Sequence, residues 1–524
     1  MAVAAVIVGG LAWRLVVALT APWYWDEGYV AELARAVGAC TRPHVGGLWD
    51  DGFFPLTTSI LAPLSAAPFA STPWWSAMVG VRLWAVSLEC LTMLGLIRLA
   101  LPSVRPRLAL LALVCYAFLP FAAEYGGRAF YHHLALPLLV AALSWGRSLF
   151  DGDEPPSVIP ASLCSGLAMA SCYWLWWLPA SWAVLLAWKR PRGWVYGLAL
   201  TTLPALAVLA LNFWPDPSGT WWSVGGILTL SHEGGAHDLP SLMAALKSLF
   251  TTLPFFLPGL VGLSWAAVRE KGPWPWLLFC LLCAILEPIR QRGAFGVGIP
   301  YPFMLAAPLA SLGTALLLDA AIKLGPWRGG LSAAATLCLF LWPVDFSWLR
   351  SISLAPKPVD ELTAYLDKNA RPGDLVCGMP QFNWRLRPLL RDCDPLDMVA
   401  YQGKGNGIYP PGAAATRFAY PCGLENVRYA IVCRIHLMGV FRLNGVALTF
   451  LEMERAGWRQ VFDDKTFKVY ENPLFGAKPD PTVCILQVPE YYRRAGAQAV
   501  SDGRRDLALF AQERLQSSTM GLRR

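Results

Sequence analysis

The chain has 524 residues, of which 56% are hydrophobic and 15% charged, with a mean hydropathy of +0.44. Soluble domains average about 25% charged residues, disordered chains lack this apolar content and collagens carry a strict Gly period, so all three classes are excluded. The excess of 43 Lys/Arg over 35 Asp/Glu gives +8, and its distribution points to a membrane topology, with no nucleic-acid partner.

Residues 1–350 hold 20 Lys/Arg and 17 Asp/Glu, whereas 351–524 hold 23 and 18 in half the length. The charge density divides the chain into a membrane body, 1–350, and a soluble tail, 351–524. A bilayer core of about 30 Å takes about 17–25 apolar residues at 1.5 Å each. Eleven segments meet or approach that requirement: 2–20, 76–97, 108–123, 132–146, 158–173, 175–188, 195–212, 249–267, 274–287, 299–320 and 330–348. The expected class is a polytopic α-helical membrane protein of about 11 spans with a C-terminal extracytoplasmic α/β domain. The first segment reads as an uncleaved span, because it has no charged leader region and Arg14 interrupts it. Basic residues favour cytoplasmic loops. Arg98, Arg105, Arg107, Arg147, Lys189, Arg190, Arg192, Arg269, Lys271, Lys323 and Arg328 fall in alternate loops. The N-terminus is therefore expected in the cytoplasm and the tail outside the cytoplasmic membrane.

The ionisable groups that do not set topology gather in the outer loops, 21–75, 123–132, 212–248 and 287–298. Such groups beside a membrane are costly and point to function. Immediately after the first span comes Trp23-Tyr24-Trp25-Asp26-Glu27-Gly28-Tyr29, followed by helix-forming residues to Arg35. As a structural feature, Asp26 would cap a surface helix and the tryptophans would form an interfacial belt. As a functional one, a carboxylate where a helix meets water would take a proton from an acceptor hydroxyl.

The Asp26-Glu27 pair after the first span, Arg14 within it, Phe53-Phe54-Pro55-Leu56 before the second span and Arg82 near its start together resemble the C-type glycosyltransferase superfamily. Among its branches, the resemblance is to the bacterial aminoarabinose transferases and protein O-mannosyltransferases, which use polyprenyl-phosphate-linked sugars. Gly298-Ile299-Pro300-Tyr301-Pro302 is similar to the proline-rich start of a late span, and Val469-Tyr470-Glu471-Asn472-Pro473 to a segment of the outer domain. The resemblance implies Asp26 as general base, with Glu27 as its orienting or acceptor-binding partner. It also implies that Arg128, Arg290 and Arg292 hold the donor phosphate, for which the guanidinium fork is suited.

Around these, Tyr131, His132, His133 and Tyr301 are candidate substrate contacts, the histidines equally readable as caps of a span. Arg128 also reads as a snorkelling interfacial residue, and Arg290 as the salt-bridge partner of Glu287. Asp50-Asp51 departs from the superfamily, which often has a basic residue there. The pair reads as a solvated acidic turn, as a substrate contact, or with His44 as ligands of a divalent cation. No cofactor is otherwise expected. The long 212–248 loop has His232, Glu233, His237 and Asp238 but no fixed-spacing metal motif. Cys280-x-x-Cys283 lies in an apolar span and reads as packing.

In the tail, helices are expected over 359–368, 445–456 and 502–516, and strands over 374–377, 427–435 and, as a pair around Asp464-Lys465, 458–471. An oxidising exterior would permit disulfides among Cys377, Cys393, Cys422, Cys433, Cys484 and Cys40, in a pairing left open. Two functions follow. One is a membrane glycosyltransferase moving a sugar from a polyprenyl-phosphate donor to a lipid, glycan or protein acceptor at the outer face, with the inversion that the resemblance implies. The other is a transporter or flippase of a lipid-linked sugar, against which the absence of internal repeats and of midplane charge clusters counts.

Overall fold

The computed structural model describes residues 1–21, 25–39, 44–45, 48–49, 61–72, 74–101, 106–150, 158–213, 238–270, 272–297, 301–324, 326–341, 358–378, 391–393, 398, 423–433, 446–464, 467–475, 489–501 and 503–521. The body is helical: α1 (Ala2–Thr20), α2 (Trp25–Gly38), α3 (Leu61–Ala70), α4 (Ala77–Ala100), α5 (Pro106–Phe118), α6 (Pro120–Gly126), α7 (Ala135–Arg147), α8 (Ile159–Ser171), α9 (Trp177–Lys189), α10 (Trp194–Phe213), α11 (Leu239–Thr252), α12 (Phe256–Arg269), α13 (Trp274–Val297), α14 (Ala307–Ile322) and α15 (Pro326–Leu341). A two-residue ladder, β1 (His44–Val45) with β2 (Leu48–Trp49), sits between α2 and α3.

Helix termini follow local chemistry. Ser76 accepts the Val79 N–H to start α4, and Asp238 accepts the Ser241 N–H at 2.7 Å to start α11. Pro120 cannot continue α5, so α5 and α6 meet at 61°. By length and hydropathy, three described helices are long and apolar enough to cross a membrane, Ala2–Thr20, Ala77–Ala100 and Tyr301–Ile322. The bent pairs α5–α6 and α11–α12 raise that to five if each is one span. Several others are shorter apolar helices, so the expected eleven spans exceed what length and composition alone establish.

One core joins α4, α5, α7, α8, α9 and α11–α14 through residues such as Met93, Leu113, Leu136, Trp182, Leu263 and Leu309. A smaller cluster of Val30, Ala34, Ala66, Met78 and Trp84 seats α2 and α3 against α4.

The helix ends form two faces. On one, Arg98 lies 3.5 Å over the Trp145 ring, Arg147 reaches Trp274, and Lys189 reaches Phe150 and Trp188. Those are the ends of α4, α7 and α9 and the start of α13. The other face gathers the end of α1, α2, the segment after α6, the 3₁₀ turns Tyr131–His133, Tyr173–Leu175 and Tyr301–Ala306, and the end of α13.

The tail contains α16 (Pro358–Asn369), β3 (Leu375–Cys377), β4 (Arg391–Cys393), β5 (Val427–Cys433), α17 (Val446–Arg455), β6 (Arg459–Asp463), β7 (Phe467–Glu471), α18 (Pro489–Ser501) and α19 (Arg505–Gly521). Its five-stranded sheet runs β4-β3-β5-β7-β6, with β3 parallel to β4 and β5, and β7 antiparallel to β5 and β6. The sheet and helices share a core of their own, including Leu366, Val376, Ile431, Leu451, Val469 and Ala511. Arg428 bridges Asp374 and Glu471, and Asn472 donates to Leu424 and Val427 carbonyls, so the Tyr470-Glu471-Asn472 segment ties the sheet together. Strand β4 and helix α18 were not expected from the sequence; three-residue β4 offers no alternation to detect, and Arg493, Arg494 and Gly496 dilute the apolar pattern of α18.

Candidate active site

Two buried ion pairs hold the site face. The shallower begins at α2, where Glu27, Val30, Ala31 and Ala34 are fully buried at helical spacing. Arg82 of α4 donates from Nε to Glu27 Oε1 and from Nη2 to Oε2, both at 2.7 Å. Its Nη1 donates to the carbonyls of Ala18 and Ala21 at 2.9 and 3.0 Å. Pro22 follows in the sequence and has no N–H for Ala18 O, so the guanidinium caps α1 where the backbone is unable to. The Ala129 N–H donates to Glu27 Oε1 at 2.9 Å. One arginine and one glutamate thus join α1, α2, α4 and the segment after α6.

The deeper pair repeats the device. Arg14 Nε donates to Glu89 Oε2 at 2.9 Å, and Glu89 also accepts the Tyr116 hydroxyl at 2.9 Å. Arg14 Nη1 donates to Ala117 O at 2.8 Å and Nη2 to Tyr116 O at 3.2 Å. Pro120 has no N–H to offer Tyr116 O, and the bend after α5 leaves Ala117 O open, so a side chain again closes a proline-ended helix. A Cβ on Gly126 would lie 2.8 Å from Arg14 Nε, and one on Gly127 would lie 2.5 Å from Arg14 O. The two glycines let the chain lie directly on α1 and deliver Ala129 to Glu27.

Beyond the clamp is an aromatic layer. Tyr301 stacks on Phe130 at 4.4 Å and 5°. His132 packs against Tyr301 and Trp174 at 5.4 and 4.8 Å. His133 bonds through Nδ1 with the Phe130 backbone, which makes it the cap of its own turn. His132, His133 and Tyr301 are all buried. Arg128, also buried, pairs with Glu124 at 3.3 Å. Arg290 binds Glu287 bidentately at 2.7 and 2.9 Å, yet its side chain is 52% exposed, so the guanidinium keeps an open edge.

The structure therefore brings together Glu27, Arg128, His132, His133 and Tyr301 from the sequence-derived set, with Arg290 on the same face. Glu27 is engaged on both oxygens, which suits a positioning residue. Asp26 occupies the adjacent position in α2. The side chains of Asp26, Tyr131, Arg292 and His44, together with Asp50 and Asp51, lie outside the described residues, as does most of the 212–248 loop. Among the described residues no group of three metal-ligating side chains occurs. Cys280 is buried in the helical core.

Glu89, Tyr116, Phe130 and Trp174 escaped the sequence reading. A signal for Glu89 existed: it is the lone carboxylate within a 24-residue apolar helix, and Arg14 is the lone cation in its own. Each is costly alone in a membrane, so each demands the other.

No family model matches the chain, and no curated protein does. Solved structures do. ArnT from Cupriavidus metallidurans in the apo state aligns at TM-score 0.58 and 12% identity, over 90% of this chain and 97% of that one. The same protein bound to undecaprenyl phosphate gives 0.56 and 12%, over 91% and 98%. The apo oligosaccharyltransferase of Archaeoglobus fulgidus gives 0.50 and 13%, over 94% and 77%. Alignment along nearly the whole length of both ArnT chains shows that this chain has the ArnT fold, the one its resemblance to the C-type glycosyltransferases implies, and its described helices include some long and apolar enough to cross a membrane.

Proposed function

We propose that this protein transfers a sugar from a polyprenyl-phosphate donor to a lipid, glycan or protein acceptor at the outer face of the cytoplasmic membrane. The observation that carries the reading is the Arg82–Glu27–Ala129 clamp, which fixes the first turn of α2 where α1 ends. Asp26 lies in that turn. In the reaction, Asp26 accepts the proton of the acceptor hydroxyl as its oxygen bonds to the anomeric carbon. The bond from that carbon to phosphate breaks, and the polyprenyl phosphate leaves with the electron pair. One carboxylate base suffices, no covalent intermediate is needed and the anomeric centre inverts.

The leaving phosphate gains charge, and the open edge of Arg290, with Arg128 and Arg292, supplies the cations to receive it. Glu27 holds α2 in place, and the buried layer of Tyr301, Phe130 and His132 keeps the site face packed. The undecaprenyl phosphate in one ArnT structure supports a lipid-phosphate donor of this kind. In the proposed topology eleven spans leave the N-terminus in the cytoplasm and the tail outside, over the site. A fold shared with transferases supports this reading over the flippase alternative.

The test is Asp26→Asn, made in cells and assayed by mass spectrometry of envelope glycans. Transfer should fall by about 10²-fold or more, the typical contribution of a positioned base. Unchanged transfer at a normal protein level would remove Asp26 as the base.

A further inference from the structure

The face opposite the site carries a groove of about 360 Å³, lined by Phe150, Val184, Trp188, Pro275, Trp276 and Phe279. Pockets that hold small ligands start at about 300 Å³ and are mainly apolar. This one opens outward from the helix bundle, for Val184 and Trp188 are each 71% exposed and Phe279 48%. At its rim the Lys189 ammonium stands 4.9 Å from the Phe150 ring centre and 4.8 Å from that of Trp188. Lys189 ends α9, and Arg190 and Arg192 follow, all three exposed. None of the three pairs with a carboxylate among the described residues. Arg147, at the end of neighbouring α7, instead bonds to Leu99 O and faces Trp274, so its charge is spent within the protein.

An apolar trough open to lipid and ending in three exposed cations, which meet no carboxylate among the described residues, suits an amphiphile with an anionic head. We propose that the α9–α13 groove binds one anionic phospholipid, an acyl chain lying along Trp188, Trp276 and Phe279 and its phosphate on Lys189 and Arg190. The site is separate from that of the donor, which must reach the opposite face. Charge complementarity selects the phospholipid: a zwitterionic lipid would fill the trough equally but bring its own cation, and so no net negative charge, to the basic end.

The experiment is native mass spectrometry of the full chain in mild detergent, with phosphatidylglycerol, phosphatidylcholine and undecaprenyl phosphate offered at equal concentration. One phosphatidylglycerol should be retained in preference. Lys189→Ala and Arg190→Ala should each weaken retention about fivefold, the effect of one basic residue near an anionic lipid. Lys189→Arg should preserve retention. Val184→Trp fills the groove without changing charge and should abolish retention, while the thermal midpoint of every variant is checked against the parent. Equal retention of phosphatidylglycerol and phosphatidylcholine, or indifference to Val184→Trp in a folded protein, overturns the site. Stronger retention of undecaprenyl phosphate than of phosphatidylglycerol, lost on Val184→Trp, overturns the assignment of the lipid.

Discussion

At the scale of single residues, Arg14 and Arg82, each buried against a glutamate, are the most consequential side chains described. Removing one partner of a buried ion pair leaves an uncompensated charge, which costs about 3–5 kcal/mol. Arg82→Met should therefore lower the thermal midpoint sharply, and so should Glu27→Gln. The double variant should recover part of the loss, because both charges then disappear. The same cycle on Arg14 and Glu89 gives a contrast. Glu27 borders Asp26, so Glu27→Gln should depress transfer by more than its loss of folded protein explains. Glu89→Gln should reduce activity only in proportion to folded protein. Activity per folded molecule, measured on the purified variants, checks this. Equal specific activity for Glu27→Gln and the parent would make the clamp a purely structural feature.

At the scale of elements, the contact between α12 and α14 is made by glycines. A Cβ at Gly262 would collide with Gly313 O, and one at Gly313 would collide with Gly259 O. Small residues at such a crossing let backbones approach, which is how helices associate where lipid offers no hydrophobic drive. Gly262→Ala and Gly313→Ala should both cost stability, by about 1–3 kcal/mol as for other overpacked sites. Gly330 in α15 is the control, since a Cβ there meets nothing within 4 Å. Gly330→Ala should be neutral or slightly stabilising, as Ala is the better helix former. Thermal unfolding of the three variants in detergent separates the crossing from a general effect of helical glycine. A parallel loss at all three positions would contradict the argument.

At the scale of the whole molecule, the two faces differ in chemistry. One presents Arg98, Arg147, Lys189 and Arg269 beside tryptophan or phenylalanine rings, as expected where basic residues meet headgroups. The other presents the clamp, the aromatic layer and Arg290. If the basic face is cytoplasmic, a single cysteine placed at Lys189 should resist membrane-impermeant thiol reagents in intact cells. One placed at Asp506 in the tail should react. Both would be read in a background in which exposed native cysteines such as Cys338 have been replaced. Reaction at Lys189 and protection at Asp506 would invert the proposed topology.

Much of this was open to reading from the chain itself. Apolar runs located most of the body's helices, because helix burial in a membrane is a local property of composition, but α3 and most of α11 fall in segments read as outer loops, and the expected span 249–267 straddles the break between α11 and α12. The tail's α16, α17 and α19 and the β6–β7 hairpin were legible for the same reason: their periods lie within a few residues. The Asp26-Glu27 pair stood out as a candidate because charge is conspicuous beside an apolar span. What Glu27 does was decided only by tertiary structure. Its partner Arg82 lies 55 residues away, and Arg14 lies 75 residues from Glu89. Periodicity carries no information over such separations. Each arginine finds its place because a proline, Pro22 or Pro120, strips a helix end of a donor, and only the packed fold brings a guanidinium within reach of the carbonyls left open.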